Sequence, residues 1–210
     1  MKTRSVLLRM GMPVAAGLAA MALAASPAVA ADVPVSFDCQ ATPPIGSAQT
    51  FTLAAGVDGT APASVAAGSA FTATLAPDPL TVPTTVSGDT VNSISDLKLS
   101  LPVPSGATLT GESLSGGTVS GATVAVSGGD LVISLPGPIA GGSTFTLPTL
   151  TLDLTAGASG GTVQTQIAGT SYTDPGLTFN ASVSISIITV TVPTTCYIPD
   201  SPVLSSTSVS

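Results

Sequence analysis

Residues 97–103 read LKLSLPV, and every second residue of this stretch is apolar. Successive side chains of a β-strand point to opposite faces, so the spacing predicts a strand with one buried and one solvated face. Residues 71–75, FTATL, alternate in the same way. No stretch beyond residue 30 has the apolar spacing of a helix. The chain is therefore predicted to be all-β.

Pairs of turn-forming residues separate the apolar runs. They are Gly46-Ser47, Asp58-Gly59, Gly88-Asp89, Ser105-Gly106, Gly116-Gly117, Gly128-Gly129, Gly141-Gly142 and Gly160-Gly161. The runs between them predict about ten or eleven strands, more than the roughly seven of a minimal immunoglobulin-like sandwich. We therefore predict an immunoglobulin-like β-sandwich with extra strands, which we expect near residues 105–142.

Two long apolar stretches change phase part-way. The apolar set shifts by one position at Pro148 within residues 145–156, and between Ile187 and Ile188 within residues 183–192. A one-residue slip turns the apolar set to the opposite face. We expect each stretch to bulge or to cross from one sheet to the other.

The two cysteines, Cys39 and Cys196, lie near opposite ends of the chain. In an oxidising compartment they are expected to form a disulfide that joins the N- and C-terminal strands. Pairing with another molecule is the competing interpretation. A bridge favours a single β-sandwich domain over residues 31–199, because in two units divided near Gly116-Gly117 it would have to reach across both.

The first 30 residues have the composition of a secretory signal peptide. Lys2, Arg4 and Arg9 precede the apolar residues 14–25, and residues 28–30 form an A-x-A cleavage site. A transmembrane anchor is the alternative, but the apolar run is short. We predict a signal peptide over residues 1–30, a secreted or cell-envelope location and no transmembrane segment after cleavage. The polar residues 200–210 are expected to form a flexible C-terminal tail.

The charge pattern argues against a nucleic-acid partner. Beyond residue 30 the chain has one lysine, Lys98, against eleven acids, a formal balance of −10, and it has no histidine. Phosphate contacts require clustered Lys and Arg. The acids are scattered singly and no calcium-loop motif occurs. We predict no metal site, with calcium binding as the alternative.

Groups that could move protons near neutral pH are scarce. Residues 95–98 match the S-x-x-K motif of the serine penicillin-recognising enzymes, but in a strand we expect Ser95 and Lys98 on opposite faces. Glycoside hydrolysis by paired carboxylates is the remaining enzymatic alternative. We predict no catalytic residue, no cofactor and no enzymatic activity. We also expect Lys98 to be exposed, and cross-linking of Lys98 to Asn92 or Asn180 is the alternative.

Aromatic residues are few: five Phe, two Tyr and no Trp. The interior must therefore be filled by Val, Leu, Ile and Ala. Tyr172 and Tyr197 are the only candidates for stacking on a sugar, and tyrosines at the edge of the core are the favoured interpretation.

Motifs near both ends of the chain resemble those of a known family. An Ala-rich signal, an early F-x-C (Phe37, Cys39) and a late T-T-C-x-x-P (Cys196, Pro199) resemble small exported actinobacterial β-sandwich proteins of the immunoglobulin-like type. Residues 104–111 are similar to immunoglobulin-like repeats of bacterial surface proteins. The resemblance implies a secreted or cell-envelope setting and no catalytic residue.

Two functions are compatible with this composition. The first is a non-catalytic structural or adhesive module that contacts cell-wall polymer, lipid or another surface protein through a sheet edge or apolar patch. The second is a carrier of a lipid or other apolar ligand within the sandwich. A contiguous internal cavity would favour the carrier, and a filled core with an exposed apolar strand would favour the adhesive module.

Overall fold

The computed structural model describes residues 28–210, which form strands, turns and loops without a helix. Within this range no helix has the length and apolar character needed to cross a bilayer. The strands are β1 (Ala28–Ala41), β2 (Gln49–Pro62), β3 (Ser64–Val65), β4 (Ala70–Pro77), β5 (Leu80–Thr81), β6 (Thr85–Val86), β7 (Asp89–Pro102), β8 (Ala107–Ser115), β9 (Thr123–Ser127), β10 (Asp130–Leu135), β11 (Ile139–Ala140), β12 (Thr144–Phe145), β13 (Thr149–Ala156), β14 (Thr162–Thr165), β15 (Leu177–Ile185), β16 (Ile188–Tyr197) and β17 (Ser205–Val209).

The predicted all-β sandwich with extra strands is confirmed. The described region has seventeen strands, more than predicted, because five contain only two residues and are too short to show an alternating pattern. Residues 105–142, where extra strands were expected, contribute β8 to β11. The predicted signal peptide lies outside the described residues up to residue 27, and residues 28–30 begin β1.

Twelve strands form one sheet, which runs β8-β13-β4-β2-β1-β16-β15-β7-β10-β9, with β6 and β11 also paired to β7. Two small sheets, β12-β5 and β14-β17-β3, complete the fold. Strands from both sides of Gly116-Gly117 interleave in the large sheet, since β8 pairs with β13 and β10 pairs with β7.

The β1–β2 hairpin joins the two halves of the large sheet. β1 and β2 pair over their whole lengths, from Ala28 opposite Pro62 to Ala41 opposite Gln49. Only residues 57–60 of β2 pair with β4, and only residues 38–41 of β1 pair with β16. The halves are thus attached at opposite ends of the hairpin, and their apolar faces meet in one core.

The alternating stretches bury the faces predicted for them. β4 buries Phe71, Ala73 and Leu75. β7 buries its leucines at positions 97, 99 and 101, while Lys98 between them is exposed.

One of the two phase changes was predicted correctly. The first stretch divides into β12, which pairs with β5, and β13, which belongs to the large sheet. The chain therefore crosses between sheets near Pro148, as expected. The prediction for residues 183–192 is wrong, because the chain reverses at Ser186, where φ is 54°, and forms the β15–β16 hairpin. The apolar set changes phase there because it belongs to two antiparallel strands.

The predicted disulfide joins β1 to β16. Cys39 and Cys196 lie directly opposite each other, with an S–S distance of 2.04 Å, and neither has exposed surface. A covalent link between residues 157 positions apart restricts the unfolded chain strongly.

We predict that the double variant Cys39→Ala/Cys196→Ala loses about 2–5 kcal/mol of unfolding free energy, because the unfolded chain regains the freedom of the closed loop. Urea denaturation followed by circular dichroism measures the loss. The wild type in a reducing buffer is the control and should approach the variant. An unchanged urea midpoint in both would show that the bridge does not stabilise the fold.

The prediction of a flexible tail over residues 200–210 is wrong for its last part. Residues 205–209 form β17, which pairs antiparallel with β14 and parallel with β3. Leu204, Thr207 and Val209 are 1–3% exposed. The sequence SSTSV shows no alternation of apolar residues, because the buried residue at the centre of this strand is a threonine.

The sequence predicted a turn at Asp58-Gly59. Both residues instead lie within β2. The backbone carbonyl of Leu204 comes so close to Gly59 that a Cβ at this position would collide with it. Glycine is required here because the segment before β17 crosses directly over β2.

The neighbouring residues Val203 and Leu204 test the packing of this segment. Val203 is 38% exposed and Leu204 is 2% exposed. We expect Leu204→Ala to lower the unfolding free energy by about 2–5 kcal/mol, because it leaves a cavity in the core, and Val203→Ala to change it by less than about 1 kcal/mol. If urea denaturation shows the same loss of unfolding free energy for Leu204→Ala and Val203→Ala, Leu204 is not packed in the core.

Candidate functional site

An apolar cavity of about 150 Å³ lies between the two halves of the fold, and it is partly open to solvent. Four of the five phenylalanines line it, namely Phe37, Phe51, Phe145 and Phe179. The aromatic residues are therefore concentrated around a part of the core that they do not fill.

Two strands supply the long walls of the cavity. β15 presents Leu177, Phe179, Ala181, Val183 and Ile185, and β2 presents Phe51, Leu53, Ala55 and Val57. These are alternate residues, so each strand turns one whole face to the cavity. The wall on β15 covers eight residue steps, or about 26 Å at about 3.3 Å per residue. The site is therefore an elongated groove.

The other half of the core is packed more tightly. Leu150, Leu152 and Leu154 of β13 are each 1% exposed and do not line the cavity. Among the cavity residues, Phe51, Leu53, Phe179 and Ile185 are only half-buried. Large apolar side chains that stay half-exposed beside a gap form a surface that an apolar ligand would cover.

The disulfide lies beside the cavity. Cys39 is paired with Phe51 of β2, and Cys196 is paired with Leu177 of β15. Phe51 and Leu177 both line the cavity. One row of paired residues across β15, β16, β1 and β2 therefore connects the two walls through the S–S bond.

The polar groups of the cavity are few. Among the lining residues only Gln49, Thr81, Ser87, Asp89 and Thr194 have polar side chains, and Asp89 is the only charged one. Apolar walls with few polar groups suit the binding of a hydrocarbon.

The edge of β2 is unpaired beside the cavity. In the described region no strand pairs with residues 49–55 on the side away from β1. Asp78 donates its backbone N–H to the carbonyl of Gly56 on that side at 2.9 Å. Backbone groups alternate in direction along a strand, so those of Thr50, Thr52 and Ala54 also face this open side.

The position of the cavity is not visible in the sequence. Its lining comes from strands far apart in the chain, and alternation alone does not show which buried faces lack an opposing layer. The available signal was the number of apolar strands relative to the few large side chains that could fill the space between them.

The two tyrosines that were predicted at the edge of the core lie against each other. Tyr172 and Tyr197 are half-buried, with ring centroids 5.1 Å apart and ring planes at 83°. Partial burial raises the pKa of the Tyr172 phenol above its usual value, and the nearby Tyr197 and Asp38 act in the same direction. An edge-to-face pair is a packing arrangement typical of a core edge.

The prediction that Ser95 and Lys98 lie on opposite faces is wrong. They are paired with Asn180 and Thr178, which share one face of β15. The register shifts at Asp96, where φ is 53°, and this bulge brings both residues to the same side. Ser95 and Asn180 both donate to the Asp96 carboxylate, at 3.2 and 3.1 Å. Lys98 is exposed, as predicted. The alternative, a cross-link of Lys98 to Asn92 or Asn180, stays untested.

Some acids that are separate in the sequence come together in the fold. Asp32 is paired with Asp58, and the carboxylates of Asp32 and Asp78 both lie beside Gly56. Among residues 28–210, no group of three or more His, Cys, Asp or Glu residues could hold a metal ion.

The comparisons with known proteins show a fold and no family. No protein-family model matches the sequence, and no curated protein matches it. A crystal structure from Corynebacterium diphtheriae, described as a "putative membrane anchored protein", is similar, with a TM-score of 0.58 and 22% identity. The match covers 86% of this chain and 38% of that chain, so this chain corresponds to less than half of the longer protein. At this identity the likeness shows the fold alone.

Proposed function

We propose that the protein is a non-catalytic module of the cell envelope or extracellular space, which binds the hydrocarbon chain of a lipid or a similar apolar ligand in its cavity. The apolar cavity between β2 and β15 is the observation that carries this proposal. It is the feature that distinguishes a carrier from a module with a filled core.

The size and lining of the cavity support an apolar occupant. A cavity of about 150 Å³ lined by Leu, Ile and Phe stays dry and accepts a molecule of the size of benzene. The enclosed part would therefore hold a short segment of a chain, and the rest of the chain would lie along the groove. Each methylene that leaves water contributes about 0.8 kcal/mol.

An envelope or extracellular setting agrees with the intact disulfide, because such bonds persist in oxidising compartments. The membrane anchorage named for the Corynebacterium diphtheriae structure is compatible with this setting. The non-catalytic part of the proposal rests on the lining of the cavity, which offers one carboxylate, Asp89, and no second titratable group to work with it.

The adjacent residues Ala54 and Ala55 provide a matched test. Ala55 lines the cavity, whereas Ala54 is exposed on the opposite face of β2. We expect Ala55→Phe to fill the groove and to weaken binding of a fluorescent long-chain fatty acid by about tenfold or more. Ala54→Phe should bind it like the wild type. Fluorescence titration measures both affinities.

Urea denaturation of the same variants shows that the fold is retained, and Ala55→Leu provides a smaller substitution if Ala55→Phe does not fold. The wild type should also bind the long chain more tightly than a short-chain analogue. Equal affinity of Ala55→Phe and the wild type for the long chain would reject the cavity as the binding site.

Adhesion to a protein partner is the second candidate function, and the open edge of β2 favours it. Residues 49–55 present unpaired backbone groups and contain neither proline nor a charged side chain. Natural edge strands usually carry such residues, which prevent pairing with other chains. An extended strand of a partner could add to this edge and place alternate apolar side chains in the groove.

Thr52→Lys tests this second function. The substitution places a charge on the open edge at an exposed residue, and it should shift the protein from the cell-envelope fraction to the culture medium. Thr72→Lys, at an exposed residue of the interior strand β4, is the control and should not change the distribution. Quantitative immunoblotting of the two fractions measures the effect. An unchanged distribution for Thr52→Lys would reject attachment through this edge.

A further inference from the structure

Three chain reversals point toward one end of the fold. They are the β1–β2 loop (residues 42–48), the β6–β7 turn (residues 87–88) and the β15–β16 turn (residues 186–187). Thr90 is paired with Ser184, so the two turns lie side by side. β1 runs toward the same end, because its residues 38 to 41 pair in order with residues 197 to 194 of β16, but Ala41 lies opposite Thr194, about 20 Å along β16 from its first residue, Ile188. We call these three reversals the loop end.

The loop end carries unusually exposed apolar side chains. Ile45 is 70% exposed, Ile187 is 99% exposed and Ile188 is 48% exposed. They are three of the five large exposed apolar side chains in residues 28–210. Ile45 and Ile187 project from reversals and Ile188 begins β16, and none of the three belongs to the core. Exposed apolar residues that are grouped, as Ile187 and Ile188 are, mark an interaction surface.

The loop end is also uncharged. Residues 42–48, 82–88 and 186–190 contain no Asp, Glu, Lys or Arg. The nearest acid along the chain, Asp89, is half-buried in the lining of the cavity. The other acids of the protein lie elsewhere along the chain, and the apolar tips can enter a low-dielectric medium without taking a charge with them.

The cavity reaches the loop end. Pro43 of the β1–β2 loop, Ser87 of the β6–β7 turn and Ile185 at the end of β15 all line it. A hydrocarbon chain that entered here would pass directly from the tips into the groove.

We propose that the loop end docks on an uncharged lipid bilayer, with Ile187 and Ile188 inserted among the lipid chains and the mouth of the cavity facing the membrane. The passage of a chain from membrane to cavity rests on the proposed function. The docking itself rests on the exposed isoleucines and on the absence of charge.

A lipid surface fits the loop end better than a protein surface does. Protein interfaces take most of their affinity from Trp, Tyr and Arg, and they have a polar rim. Residues 42–48, 82–88 and 186–190 contain none of these three residue types. Protruding isoleucines suit a fluid apolar layer, which adapts its shape to them. With one lysine against eleven acids beyond residue 30, the protein is repelled by anionic lipids.

Vesicle flotation tests the docking. We expect the wild type to float with phosphatidylcholine vesicles and to float less with vesicles that also contain phosphatidylglycerol. Added salt should restore part of the second binding by screening the repulsion. Ile187→Asp should lower binding to phosphatidylcholine by about tenfold or more, and because Ile187 is 99% exposed the fold is retained. Val126→Asp, at an exposed valine of β9, is the matched control and should bind like the wild type.

Two results would overturn the proposal: the absence of binding to phosphatidylcholine vesicles, or an equal loss for Ile187→Asp and Val126→Asp. A dimer in sedimentation velocity that Ile187→Asp dissociates would assign the loop end to a second copy of the chain and would also overturn it.

Failure of the docking is distinguishable from failure of the cavity. Ile187→Asp should still bind the fluorescent fatty acid in the absence of vesicles, because Ile187 does not line the cavity. A wild type that binds the fatty acid but not the vesicles would reject only the docking. A wild type that binds the vesicles but not the fatty acid would reject only the carrier function.

Discussion

The fold depends on the double pairing of β1, which lies between β2 and β16 and is linked covalently to β16. Through β2 it holds the half that contains β4, β13 and β8, and through β16 it holds the half that contains β15, β7 and β10. The Cys39–Cys196 bond lies in the same row of residues as two cavity walls. The bond therefore fixes the separation of the walls as well as the ends of the chain.

This arrangement explains how a core can be stable and incompletely filled. On one side, the leucines of β13 are almost fully buried. On the other, β2 and β15 line a groove that their side chains do not close. The tightly packed half and the disulfide can stabilise the fold, while the looser half remains open to a ligand.

The sequence predicts those features that depend on neighbouring residues. The alternation of apolar and polar residues predicted the buried faces of β4 and β7. The two cysteines predicted the disulfide that joins the distant strands β1 and β16. The sequence failed where a distant contact decides the structure. Gly59 was assigned to a turn because the approach of Leu204 is invisible from the residues beside it. The buried face of β17 includes Thr207, whose burial depends on its partners in β14 and β3.

The candidate site was predictable only as a possibility. An aliphatic interior with few aromatic residues is compatible with both a filled and a hollow sandwich. The position of the cavity follows from the part of β2 that pairs with β4 and the part that does not, and this depends on register. The bulge at Asp96 shows the same limit, because a single residue with positive φ moved Ser95 to the face of Lys98.

The pairing of β1 with β16 also determines when, during synthesis of the chain, the large sheet can be completed. A chain made from its N-terminus can form the β1–β2 hairpin early, but the second neighbour of β1 is complete only after residue 197. Pairing between such distant segments is intrinsically slow. Until then the apolar faces of both strands are exposed to water, where unpaired strands aggregate. The covalent bond between Cys39 and Cys196 likewise cannot form before the chain has been made as far as residue 196.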